Sequence, residues 1–490
     1  RASDRATMIS LPPNRKAHLA ALGALALGVA WLAAPAAAQD APGLRGTIPS
    51  RPAPAAPAYG QARPPSLSPS PSGPEGGAPV IALEDPEEAR AARAGLDNER
   101  IGAVEAQPRA GDEADAYAPL GIRAGSFLLR PRLEQGIGWT SNAAGAPGGR
   151  SSTFSETTLR LDAQSDWSRH RASFAVDGSY RKSVSGDRID EIDGSADGRI
   201  DFDLANELAA FVAAGYRVNP ESASTPGAVA AAVSRPLRHT FDASAGVSRD
   251  AGLLRLGLVG ALTRQIYDDA ELSDGTTVSQ RERDSTLATA TLRAGYAVSP
   301  ALTPFAEAEI GRRFYDQKID NSGYARSADR YALRGGVELD LGEKLRGEIA
   351  AGWLTERPDD DRLDAVSGLW LSGDLAWSPV RGTSVGLSAS TTVEGATAPG
   401  DSGSLLYSGT LSLERELRAN LTGRAAAGLD WRDYSGGGGD TIMRGEASLT
   451  WWMNRHVGIT ARARHEVQES TLPGRDWDAT SAWLGLTLQR

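Results

Sequence analysis

The chain has 490 residues, 55 glycines, no cysteine and a formal net charge of −10. The absence of cysteine excludes disulfides and thiolate metal sites, and the acidic balance argues against nucleic acid as a partner. Beyond residue 38 no apolar run is long enough for a membrane-spanning helix, so a membrane role would require a closed barrel, the other architecture that satisfies its backbone in lipid.

Residues 1–38 read as a targeting segment. Met8 is the expected start, with residues 1–7 upstream of it. Arg15, Lys16 and His18 form a basic head, residues 19–32 (LAALGALALGVAWL) an apolar core, and Ala36-Ala37-Ala38 a small-residue cleavage site before Gln39. That order is the pattern of a secretory signal peptide. Residues 39–120 have a different composition. The stretch 49–79 is dominated by Pro, Ala, Ser and Gly, too poor in large apolar groups to offset the entropy of ordering. A disordered periplasmic arm is expected, with a short helix possible over 84–101. Residues 49–105 could touch peptidoglycan or a periplasmic protein; a plain spacer is the simpler reading.

From residue 121 to 490 a strand rhythm takes over. In residues 281–315, Ala288, Ala290, Leu292, Ala294 and Tyr296 fall on one face, and Thr289, Thr291 and Arg293 on the other, a period of two. After Ser299-Pro300-Ala301 the alternation resumes, with Ala306, Ala308 and Ile310 opposite Glu307, Glu309 and Arg313. Eighteen such strands are expected (sixteen is the alternative), starting near Phe127, Ser155, Ala172, Ile192, Leu208, His239, Leu253, Thr286, Leu302, Arg330, Leu345, Ser367, Thr383, Leu405, Leu421, Met443, Val457 and Ala479. Connections alternate between short and long, with short ones at 167–171, 299–301, 342–344 and 454–456 and long ones at 219–236, 268–284 and 316–329. Short turns on one side and long loops on the other mark an all-β, antiparallel, up-and-down transmembrane barrel in the outer membrane, with its short turns in the periplasm.

The faces repeat. Leu333, Val337 and Leu339 oppose Arg334 and Glu338; Leu369, Leu371, Leu375 and Trp377 oppose Ser372 and Asp374; Leu421, Ala425, Leu429 and Trp431 oppose Arg424 and Asp430; Ile459, Ala461 and Ala463 oppose Arg462, Arg464 and Glu466. Buried in a soluble core, each such ion would cost several kcal/mol; in a watery lumen that cost largely disappears. The expected lumen lining is therefore Arg293, Glu307, Glu309, Arg313, Arg334, Glu338, Asp374, Arg424, Asp430, Arg462, Arg464 and Glu466. Aromatic residues gather near strand ends, among them Trp139, Trp167, Tyr216, Tyr296, Phe314, Tyr315, Trp377, Trp431, Tyr434, Trp451 and Trp452, as in an interfacial girdle.

The segment PLGIRAGSFLLRPRLEQGIGWTSNA (residues 119–143), with the long-strand hairpins that follow it, resembles the putative beta-barrel porin 2 family of proteobacterial outer-membrane proteins. The resemblance covers residues 121–490. It implies a barrel of porin-like size, with outer-membrane lipid and the barrel assembly machinery as partners, and brings no catalytic residues and no substrate. Members usually end in an aromatic residue; this chain ends TLQR, with Leu488 the last apolar side chain.

Catalysis finds little support. The five histidines, His18, His170, His239, His456 and His465, show no metal-ligand spacing. Asp359, Asp360, Asp361 and Asp364 could hold calcium, though a solvated acidic loop is the simpler reading, and residues 435–440 (SGGGGD) lack the lysine and strand–helix context of a phosphate loop. No cofactor or metal is expected. The expected function is a passive channel for small polar solutes or ions. The alternatives are a lumen held closed by cross-strand ion pairs, and a non-channel envelope protein serving polysaccharide export, secretion or anchoring.

Overall fold

The computed structural model describes residues 117–204, 207–221, 235–272, 274–395 and 401–490. The targeting segment, the arm up to residue 116 and its short helix lie outside the described residues.

Eighteen long antiparallel strands close into a barrel. In chain order they are β1 (Phe127–Thr140), β2 (Ser152–Ser165), β3 (Arg171–Gly186), β4 (Asp190–Asp203), β5 (Leu208–Pro220), β6 (Leu237–Ala251), β7 (Leu254–Tyr267), β8 (Ser285–Tyr296) and β9 (Leu302–Tyr315). They continue as β10 (Ala328–Asp340), β11 (Leu345–Pro358), β12 (Val366–Trp377), β13 (Thr383–Glu394), β14 (Ser404–Arg418), β15 (Leu421–Tyr434), β16 (Gly439–Trp452), β17 (Val457–Ser470) and β18 (Trp477–Gln489). Each pairs with its sequence neighbour, and β1 closes the ring on β18 from Arg132↔Gln489 to Thr140↔Ser481. The shortest strands have 12 residues, about 40 Å of extended chain, enough to cross an apolar band of about 25 Å at a tilt.

The expected strand starts are all recovered within a few residues, and the loop alternation holds with two exceptions. The β3–β4 connection, residues 187–189, and the β15–β16 connection, residues 435–438, are short although they lie on the long-loop side. In the second, Gly437 and Gly438 take positive φ, so the glycine run makes a tight hairpin where a longer loop is expected.

The barrel is inverted relative to a soluble one. Leu292, Ile310, Leu333, Leu369, Leu411, Leu429 and Leu484 are exposed on the outer face, while Arg293, Glu307, Glu309 and Arg334 are buried on the inner one. Trp139, Trp167, Tyr296, Phe314, Trp377, Trp431 and Trp451 also point outward near strand ends. Tyr315 shares the lumen register of Arg313 and does not join that girdle, and neither do Tyr434 and Trp452. The latter two are buried and lie on the lumen register, where Tyr434 donates to Asp440 (2.6 Å) and Arg132 stacks over Trp452 (5.5 Å). Position along a strand sets depth in the membrane, but only parity sets the face.

Residues 119–143 owe part of their character to a small hairpin. Ile122–Ala124 forms a short strand against Phe127–Leu129, turning at Gly125, whose φ of 61° suits glycine. It flanks the foot of β1, where β18 pairs no further than Arg132, and Gln489 Nε2 donates to the Tyr117 carbonyl (2.9 Å).

One junction departs from the pattern. β12 and β13 pair only from Ser372↔Ser390 to Trp377↔Val385, whereas β13 and β14 pair along their full length, Thr383↔Arg415 to Glu394↔Ser404. Toward the long-loop side the wall between β12 and β13 has no ladder.

Candidate channel lining

On the wall formed by β7–β11, alternation places charges at facing positions of neighbouring strands. Arg293 on β8 stands opposite Glu307 on β9 and donates to it at 3.0 Å. Glu307 in turn stands opposite Arg334 on β10 and accepts its Nε. Glu309 accepts from Thr291 (3.1 Å) and from Arg330 (2.8 Å), and Arg330 and Arg313 both donate to Glu356 (2.9 and 3.1 Å). Facing positions lie close enough for direct contact, and arginine reaches further: Arg293 spans from β8 to Glu348 on β11 (2.9 Å), with Glu338 at 3.4 Å. Arg255 completes the wall at 3.5 Å from Glu338. Five arginines thus interlock with five glutamates, so burial leaves none of these arginines without a carboxylate. That pairing is what makes buried ions tolerable.

A second network lines β1–β4 and β14–β18. Arg462 donates to Glu156 (3.0 Å) and Glu134 (3.1 Å), stacks over Trp483 (4.7 Å) and lies 3.9 Å from Glu446. Arg464 donates to Glu466 (2.6 Å), Arg424 to Glu414 (2.9 Å) and Arg444 to Asp430 (2.7 Å). Near the long-loop end, Arg432 bridges Glu394 (2.6 Å) and Asp440 (3.0 Å), and Glu394 also accepts from Ser404 (3.2 Å).

All twelve residues expected to line the lumen lie on its register. Arg293, Glu307, Glu309, Arg313, Arg334 and Glu338 come together in the first network. Arg462, Arg464, Glu466, Arg424 and Asp430 are distributed over pairs in the second. Asp374 faces Glu348 across the β11–β12 ladder and is exposed. That expectation missed Arg255, Arg330, Glu348 and Glu356 in the first network, and Glu134, Glu156, Glu414, Arg444 and Glu446 with Arg432, Glu394 and Asp440 in the second. Arg330 shares parity with Arg334 and Glu338 on β10, and Arg432 with Arg424 and Asp430 on β15, so extending the period of two along those strands would have found them; β11 held no expected residue, and Glu348 and Glu356 are found only from its own alternation. Glu394 and Arg432 bond each other across two strands, a contact that depends on wall curvature and has no signal in a single strand.

The long loops latch to one another on the long-loop side. Asp320 accepts from the backbone N–H groups of Ser322 (2.8 Å) and Tyr324 (2.9 Å) and from Arg326. Arg326 also donates to the Asp401 carbonyl (2.7 Å), linking the loop after β9 to the loop after β13. Asp360 accepts from Arg362 (2.8 Å) and from the Ala325 N–H (3.1 Å), while Asp359 takes Arg312 (2.7 Å). Two of the four carboxylates considered for calcium, Asp359 and Asp360, thus hold arginines and a backbone amide. Arg362 and the Arg362 and Ala325 amides hold the Asp360 carboxyl well below the usual range. Burial opposes ionisation of Asp320, but the Tyr324 amide and Arg326 outweigh it and lower its pKa. Among the histidines, His239 lies outward beside Tyr216 (2.9 Å) and Asp268 (3.4 Å), and His465 contacts Thr480 (2.8 Å).

The sequence model of a family described as putative beta-barrel porin 2 matches residues 115–490. No curated protein matches the chain. Similar solved structures include the apoprotein form of the FrpB iron transporter from Neisseria meningitidis, with 9% identity, a TM-score of 0.37 and coverage of 74% of this chain and 64% of that one. The copper transporter OprC is similar at 8% identity and a TM-score of 0.39, with coverage of 76% and 81%. OccAB4 from Acinetobacter baumannii is similar at 9% identity and a TM-score of 0.37, with coverage of 74% and 98%. Likeness of this degree carries no argument.

Proposed function

The chain belongs to the putative beta-barrel porin 2 family, and from that premise we propose that its outer-membrane barrel is a passive conduit for small polar solutes, weakly selective by charge. The observation that carries this reading is the neutral, wall-bound charge lattice of β7–β11. Five arginines matched to five glutamates on one inner wall leave a hydrophilic surface with no excess of either sign. A ring of like charge would attract one class of ion; a balanced lattice leaves passage to be set by width and by the loop latches. No step of chemistry is assigned to the lumen, and the protein is read as a non-enzyme without cofactor.

Outer-membrane lipid is the partner of the outer face, and the barrel assembly machinery delivers the protein there. The arm over residues 49–105 is the segment proposed to meet peptidoglycan or a periplasmic protein, and crosslinking in cells tests it. Conductance of the refolded barrel in a planar bilayer tests the main reading. Stable steps with a reversal potential close to zero under a salt gradient are expected. A barrel silent at every voltage would instead favour the closed-lumen reading.

A further inference from the structure

The junction between β12 and β13 is a lap, in which one edge of the wall overlies the other. Above Ser372↔Ser390 the two strands part. Val393 and Leu405 face each other on β13 and β14, on the face opposite to Glu394 and Ser404, which meet in the lumen. They are therefore outer-face residues, yet they are buried in one cluster with Leu354, Val366 and Trp370. These three lie on the inner register of β11 and β12, Trp370 beneath the Arg334 guanidinium (4.1 Å). The inner face of β11–β12 thus covers the outer face of β13–β14. Two further contacts agree. A side chain at Gly368 would run into Leu405 and Tyr407 of β14, and one at Gly395, just past β13, would meet the Tyr315 hydroxyl of β9. The tip of β13 has swung into the lumen.

Free strand edges in lipid leave backbone groups unpaired, at several kcal/mol each. Here the overlap shields them. The Leu371 N–H donates to Thr391 Oγ1 (2.9 Å), and the Tyr407 hydroxyl bonds the Leu369 backbone. The lap is held by side chains, so it can part without breaking a ladder. Closed, it is a packed seam of aliphatic and aromatic side chains; parted, it would make a thin slot between them. The slot begins at the lipid-facing lip, where Leu369 is exposed and Tyr407 stacks on Trp431, and ends at Arg334 in the lumen. A polar solute would lose its hydration there without compensation. A linear hydrocarbon would exchange one apolar surrounding for another, with the Arg334–Glu307 pair at the inner end.

We propose that the lap between β12 and the β13–β14 hairpin is a lateral port that takes the chain of a long-chain fatty acid between lumen and membrane. The port is separate from the polar path along the lumen. The test uses the full-length refolded barrel in lipid vesicles, a diazirine-bearing palmitate and mass spectrometry of the adducts. Labelling of Trp370 and Val393 that unlabelled palmitate competes away is expected, beside non-competable labelling of lipid-facing Leu333. Because the natural chain has no cysteine, a Gly368→Cys/Leu405→Cys pair can lock the lap by oxidation. Oxidation should reduce the Trp370 and Val393 adducts to background, and reduction should restore them, with conductance unchanged throughout. Trp370→Ala, which empties the slot without a crosslink, should raise labelling of Val393 severalfold. Adducts confined to Leu333 and its outer-face neighbours, or seam labelling indifferent to the lock, would overturn the port. A silent barrel with lock-sensitive labelling would overturn the polar conduit alone.

Discussion

Placing an arginine at Leu333 tests which way the barrel faces. Leu333 sits midway along β10, is 63% exposed and lies between Ala308 and Trp353 on the adjacent strands. If that exposure is to lipid, Leu333→Arg forces a guanidinium into the hydrocarbon and should cost about 2–4 kcal/mol near the midplane. If it were exposure to water, the same change should fall within about 0.5 kcal/mol. Asp374→Asn is the control, an exposed position on the opposite parity of β12. Facing lumen water, it should change stability by less than about 1 kcal/mol; facing lipid, removing its charge should stabilise the barrel clearly. Denaturant titration of folding into vesicles, followed by tryptophan fluorescence, reads both. A tolerated Leu333→Arg together with a stabilising Asp374→Asn would show that the faces have been assigned backwards.

Other substitutions probe other parts of the molecule. Arg432→Met leaves Glu394 and Asp440 buried without their cation and should cost about 3–5 kcal/mol in the same titration; a neutral result would mean that water reaches the pair freely. Gly347→Ala meets two obstacles, a φ of 129° and the Asp374 carbonyl in the path of its methyl group. It should lower folding yield strongly, whereas Gly260→Ala, with open space around it, should not. The loop latches should show a one-sided pH response. Asp320 and Asp360 have lowered pKa values, so their contribution is complete above the ordinary aspartate pKa of about 4. It is lost only as pH falls below that through the folded values. Proteolysis of the loop after β9 should be flat from neutral pH to about 5 and rise only in stronger acid; a rise near neutrality would assign the latch to other groups.

Most of the barrel was legible in the sequence because its determinants are local. Parity decides whether a side chain meets lipid or lumen, and Ala288–Tyr296 displays it without help from any partner. Turn chemistry marks strand ends, as at Ser299-Pro300-Ala301. The lap was not legible, since it arises from a failure of pairing between β12 and β13, and pairing is a property of two strands. One trace of it was present. On the same parity as Ser372 and Asp374 stands Trp370, a large ring that, like Trp452 and Trp483 on other lumen registers, needs cover from water. Its burial at 1% shows that something covers it, and the outer-face residues of the β13–β14 hairpin do so.

The same geometry explains how a lumen can be both charged and buried. Arginines of β8–β10 do not extend into open water; they lie along the wall, bridging to carboxylates up to three strands away, as Arg293 does to Glu348. Each pair neutralises its neighbours and fills space, so the lattice narrows the lumen while keeping its surface hydrophilic. Removing one cation should then matter through its partners. Arg293→Gln releases Glu307, Glu348 and Glu338 together, of which only Glu307 retains Arg334 and Glu338 retains Arg255. The wall gains net negative charge, and the reversal potential of the reconstituted channel should move toward cation preference. Glu309→Gln, which weakens the hold on Arg330 while Glu356 still pairs it, should shift it less and in the opposite sense. Two shifts of the same sign, or none at all, would mean that permeating ions do not pass along this wall.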